Sequence, residues 1–146
     1  NNSSSQKGTP RNGGTGANLA DWFLPMIHFG VDAFEVRYSD YGHLANVAKV
    51  MKTHQDIRVV ITGFTDKTAS NTYNDQLSYK RAKATIDHLV RVHEVSRSRL
   101  ILQYSGEYGI LVPESGSSFM NRRVEFRVAQ GGEEEMAPPA NSKGGY

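Results

Sequence analysis

Asp66, Asn74, Ser78 and Arg81 are the residues whose types and spacing most invite a chemical reading. Asp66 closes the run Val59-Val60-Ile61-Thr62-Gly63-Phe64-Thr65, whose β-branched apolar start suits a strand covered on both faces. Asn74, Ser78 and Arg81 fall at i, i+4 and i+7 of a helix-patterned stretch, so they line up over two turns. A strand-end acid therefore faces a polar helix stripe that ends in an arginine. On the residues alone the purpose of that pairing stays open. Asp66 and Arg81 either hold a ligand between them or form a structural ion pair tying loop to helix, and Asp66 can also cap the amides of its own loop. Arg122 and Arg123 open a later strand and point to opposite faces, so one reaches the Asp66 site and the other does not. The alternative for both arginines is protection of a strand edge by charge.

Other chemistries find little support. The histidines His28, His43, His54, His88 and His93 contain no i, i+4 pair, which argues against a zinc site on a helix face. The chain has no cysteine, which removes disulfides, thiolate metal sites and a cysteine nucleophile. It has no Gly-x-Ser-x-Gly elbow, and its glycine-rich stretch around Gly106 and Gly109 lacks the Lys-Ser/Thr of a phosphate loop. No metal and no cofactor is expected. Lys80 and Lys83 read as a solvated helix face.

The elements that must position the polar residues follow from the apolar pattern. Residues 26–31 read as a first strand. Ser39 or Asp40 can cap a helix running to about His54, with Leu44, Val47, Ala48 and Met51 as its apolar stripe. Residues 58–65 form the second strand, and Leu77, Ala82, Ile86, Leu89 and Val90 mark a second helix from Tyr73 to about His93. Residues 99–104 are a third strand, and 122–128 a fourth that alternates Val124, Phe126 and Val128 against Arg123, Glu125 and Arg127. The order βαβαββ predicts an α/β sandwich of two layers, with both helices packed on one face of a small mixed sheet.

The chain has 146 residues, room for one domain and a tail at each end. Residues 1–21 are rich in Ser, Asn and Gly and read as a flexible linker, with Trp22, Phe23 and Leu24 packing on the domain edge. The domain is expected over 22–129, and the Gly/Pro/Glu segment 130–146 as a disordered tail. No apolar run is long enough to cross a membrane as a helix. A linker implies something on its far side, and a membrane-anchored domain before Asn1 stays open, as does a homodimer. The net charge of +2 gives nucleic-acid binding little support, and Tyr79, Tyr104 and Phe126 are too scattered for a stacking surface.

Thr65-Asp66, Tyr73-Asn74-x-x-Leu77-Ser78-x-x-Arg81-Ala82 and Asn121-Arg122-Arg123-Val124 occur in this order over residues 26–128. Together they resemble the OmpA-like C-terminal domain, a peptidoglycan-binding module of Gram-negative envelopes. The resemblance implies a binding module rather than an enzyme. It also implies a periplasmic place within an outer-membrane-associated protein. In that family the aspartate of Thr-Asp and the arginine of Arg-Ala hold the diaminopimelate of the stem peptide, which implies Asp66 and Arg81 here. Asn74, Thr65 and Arg122 match the family's further site positions. The chain departs from the family in having Phe64 where histidine is common, and Gly30-Val31 where a small polar or acidic residue often follows the first-strand phenylalanine.

The chemistry suits the resemblance. Diaminopimelate carries an ammonium and a carboxylate on one carbon, and an acid beside an arginine matches that zwitterion. Arginine offers a carboxylate two parallel hydrogen bonds, each charge-assisted bond being worth roughly 1.5–3 kcal/mol. The alternatives from other classes are a small envelope enzyme acting on a cell-wall or small-molecule substrate and a weak nucleic-acid-binding α/β domain.

Overall fold

The computed structural model describes residues 24–67, 69–108 and 118–140. The linker expected at 1–21, together with Trp22 and Phe23, lies outside them. The elements are β1 (Ile27–His28), α1 (Tyr41–Thr53), β2 (Val59–Gly63), α2 (Asn71–His93), β3 (Leu100–Tyr104) and β4 (Arg123–Val128). They form a mixed sheet of order β1-β4-β2-β3, in which β2 pairs parallel with β3 and antiparallel with β4. The expected two-layer sandwich and its strand–helix order are both present.

The first strand is shorter than the 26–31 that its apolar run suggests. β1 keeps only Ile27 and His28 opposite Val124 and Arg123. Phe29 still donates its amide to the Arg122 carbonyl, but Ala33 then donates back to Gly30, and Asp32 takes φ 56°. That turn redirects the chain over the sheet end. Asp40 stands at the start of α1, yet its carboxylate caps no helix amide. It accepts instead from the His28 amide and the Arg37 guanidinium, so it ties α1's start to β1. At α2 the cap is conventional: the Ser70 hydroxyl accepts from the Tyr73 amide.

α2 presents both of its stripes inward. Leu77, Ala82, Ile86 and Leu89 are buried with Val59, Ile61, Leu100, Leu102, Val124, Phe126 and Val128, while Val90 is only partly buried at the margin. Leu44, Val47, Ala48 and Met51 of α1 close the same core. Gly63 is what lets the helix come this close, because a Cβ there would overlap the Ser78 carbonyl oxygen.

The segment expected as a disordered tail divides in two. Residues 141–146 lie outside the described residues. Within 130–140, Met136 donates its amide to the Leu102 carbonyl, and Glu133 and Glu135 pair with Arg127 and Arg97. The acid run that composition assigns to solvent thus meets complementary arginines, Arg97 just before β3 and Arg127 near the end of β4.

Candidate functional site

The polar stripe of α2 meets the sheet where β2 ends. Arg81 is wholly buried. Its Nε donates to the Ala33 carbonyl at 2.7 Å, Nη1 to Phe64 at 3.0 Å and Nη2 to Gly30 at 3.1 Å. The guanidinium also lies 5.3 Å from the Phe29 ring centroid. One side chain therefore clamps the turn after β1 to the end of β2. Burial lowers the Arg81 pKa to about 10, with Asp66 pulling it back up, so the guanidinium remains charged at neutral pH.

Asp66 sits close enough to act on Arg81 through its charge, but its short contacts are elsewhere. Its Oδ2 accepts from Arg122 Nη1 at 3.0 Å and from the Ser118 amide at 3.0 Å. Arg122 is held in place by donating Nε to the Phe29 carbonyl at 2.9 Å. The sequence pattern sets Asp66 against Arg81; the structure gives Asp66 to Arg122 and gives Arg81 to backbone carbonyls. The expected divergence of the two adjacent arginines is seen. Arg123 turns the other way, bonds Glu125 at 2.7 Å and stacks 3.9 Å from the Phe64 ring centroid. Phe64, the departure from the family's histidine, is thus occupied with Arg123, while its carbonyl serves Arg81.

Asn74 and Ser78 complete the stripe. Asn74 is buried and donates Nδ2 to the Ala69 carbonyl and to Glu107 Oε1. Ser78 accepts from the Gly106 amide and donates to the Asp75 carbonyl. Thr65 donates its amide to Gly106, so the loop after β3 is sewn to both β2 and α2. Its hydroxyl is buried and has no hydrogen-bond partner among the described residues. The structure therefore gathers all five expected residues, Thr65, Asp66, Asn74, Arg81 and Arg122, at one end of the sheet. Each is buried, which sets the Arg81 and Arg122 guanidiniums and the Asp66 carboxylate together in the desolvated part of the site.

Sequence reasoning missed several groups around it. Ser118 reaches Asp66 through its backbone amide, a contact no side-chain pattern encodes. Glu107 meets Asn74 from a glycine-rich loop that reads as featureless. At the rim, the Tyr73 hydroxyl donates to Asp32, and the Phe119 ring stacks with His28 and has the Arg37 and Arg122 guanidiniums 5.0 and 5.7 Å from its centroid. Asp32 carried a signal, since an acid three residues past the first-strand phenylalanine can reach the sheet end. Among the described residues no group of His, Asp or Glu side chains is placed to hold a metal ion.

A family model described as the OmpA family matches residues 28–123. The chain is 30% identical over 104 residues to outer membrane porin F of Pseudomonas aeruginosa, which is 70% of this chain and 30% of that protein. It is 44% identical over 64 residues to the peptidoglycan-binding protein ArfA of Mycobacterium tuberculosis, which is 44% of this chain and 20% of that protein. The chain thus spans under a third of either relative's length. Among solved structures it is similar to the peptidoglycan-associated lipoprotein from Burkholderia pseudomallei, with TM-score 0.64 and 24% identity over 71% of this chain and 89% of that one. At that identity the likeness is one of fold.

Proposed function

The chain belongs to the OmpA family, and from that premise we propose that it is a non-catalytic module that binds cell-wall peptidoglycan through the diaminopimelate of the stem peptide. Residues 22–129 form the binding module, 1–21 its linker and 130–146 its tail, within an outer-membrane-associated protein of the periplasm. The observation that carries the reading is the buried constellation of Asp66, Arg122 and Arg81 beside a Thr65 hydroxyl with no partner among the described residues. Two relatives bear on the partner: the ArfA protein is named for peptidoglycan binding, and a lipoprotein of Legionella pneumophila, 38% identical over 84 residues, is named for association with peptidoglycan.

The ligand ammonium takes Asp66 as its acceptor. The ligand carboxylate is drawn by the buried Arg122 and Arg81 guanidiniums. Thr65 and Asn74 supply neutral hydrogen bonds. No covalent bond is made or broken. The test is a pull-down on purified sacculi. Asp66→Asn keeps the shape and an acceptor for the Ser118 amide but loses the charge. It should weaken binding by about 2–5 kcal/mol while the domain stays folded. Lys83→Ala, on a surface pair with Asp87, should bind like the parent. A folded Asp66→Asn variant that still binds like the parent would exclude the site.

A further inference from the structure

β3 forms one edge of the sheet, and its sequence Leu-Ile-Leu-Gln-Tyr holds no charge and no proline to deter another strand. The opposite edge, β1, is protected by being two residues long. Along the outer side of β3 lie residues 133–137. Met136 donates its amide to the Leu102 carbonyl at 3.0 Å, and the Leu102 amide donates to Glu135 Oε2 at 3.1 Å. The Tyr104 amide meets Met136 Sδ at 3.4 Å, and its hydroxyl donates to the Ala137 carbonyl at 2.8 Å. Ion pairs of 2.8 Å, Arg97 with Glu135 and Arg127 with Glu133, fasten the segment.

These contacts cap the edge without extending the sheet. The Leu102 and Tyr104 amides, which a paired strand would satisfy with backbone carbonyls, receive a carboxylate and a thioether, the latter a weak acceptor. The segment continues into Pro138 and Pro139, which have no amide to offer a further strand. The Arg97–Glu135 pair is about half exposed on both sides, and Arg127 of the other pair is equally exposed, so the pairs hold the segment weakly and yield to salt. We propose that residues 133–137 are a displaceable strap that closes the β3 edge against a second copy of this chain. Two uncovered β3 edges are identical and uncharged. Set antiparallel about a two-fold axis, they would give each other's Leu102 and Tyr104 amides backbone acceptors.

Sedimentation velocity over a wide concentration range tests this on the parent chain, on a chain ending at Gly132, and on a full-length Glu135→Ala, Met136→Pro variant. The point variant removes the carboxylate and the amide donor and leaves the chain length unchanged. Both altered chains should form a concentration-dependent dimer that the parent does not form at the same concentrations. Hydrogen exchange at Leu102 and Tyr104 should be slow in the parent and about tenfold or more faster in the dilute altered chains. It should slow again as they dimerise. Altered chains no more self-associated than the parent would overturn the proposal, as would parent amides at Leu102 and Tyr104 exchanging like unprotected ones.

Discussion

Arg81 shows how one side chain serves fold and site together. Its three donations to Gly30, Ala33 and Phe64 hold the β1 turn against the end of β2, and in the proposed binding role the same contacts would fix the guanidinium before a ligand arrives. Preorganisation of this kind lowers the ordering cost of binding. It also means that Arg81 cannot be removed cleanly. Arg81→Ala should leave buried carbonyls without donors and cost about 3 kcal/mol or more in a denaturant titration. Arg81→Lys should recover part of that loss at most, because an ammonium cannot span three carbonyls set in a planar fork. A variant of either kind as stable as the parent would show that these contacts carry no weight. Asp66 differs, since its charge partner comes from the residue just before β4 and a neutral isostere preserves its shape.

At the scale of elements, α2 decides the geometry, and Gly63 decides how close α2 lies. Gly63→Ala would drive a methyl group into the Ser78 carbonyl, which belongs to the stripe that lines the site. Since backbone faces backbone there, relief requires moving the helix, and the variant should lose about 1–3 kcal/mol of stability in thermal or denaturant unfolding. Sacculus binding should fall with it as the Asn74, Ser78 and Arg81 stripe shifts. An unchanged melting curve would mean that α2 is free to slide. The double stripe of this helix was legible in the sequence because 3.6-residue periodicity acts on polar and apolar side chains alike. So was the opposite aim of Arg122 and Arg123, which follows from strand alternation. That one of these arginines reaches Asp66 followed from the same alternation, but that it, and not Arg81, makes the direct ion pair was not legible. Arg122 lies 56 residues away, and only the antiparallel pairing of β2 with β4 brings it in ahead of the nearer Arg81. The contraction of β1 to two residues was equally hidden, since the apolar run continues past the point where Asp32 turns the chain.

At the scale of the molecule, the sheet separates its tasks by position. Its centre is filled by β2 and β4, whose ends carry Asp66 and Arg122 to the site. Its β3 edge is covered by residues 133–137. Composition alone assigns that segment to solvent, because it registers the acid run Glu133-Glu134-Glu135 but not the arginines that the fold sets opposite. The whole arrangement acts as a rigid frame around a small desolvated charge cluster, and the central claim is that this cluster reads a zwitterion. Calorimetric titration of the full chain with a stem tetrapeptide carrying diaminopimelate, and in parallel with the same tetrapeptide carrying lysine, tests that claim most directly. Within the peptide both residues keep a distal ammonium, but only diaminopimelate has a carboxylate on the same carbon. The diaminopimelate peptide should bind and should compete the chain off sacculi, whereas the lysine peptide should bind at least about tenfold more weakly, the loss of one charge-assisted contact being worth roughly 1.5–3 kcal/mol. Equal affinity for both peptides, or sacculus binding untouched by the saturating diaminopimelate peptide, would contradict it.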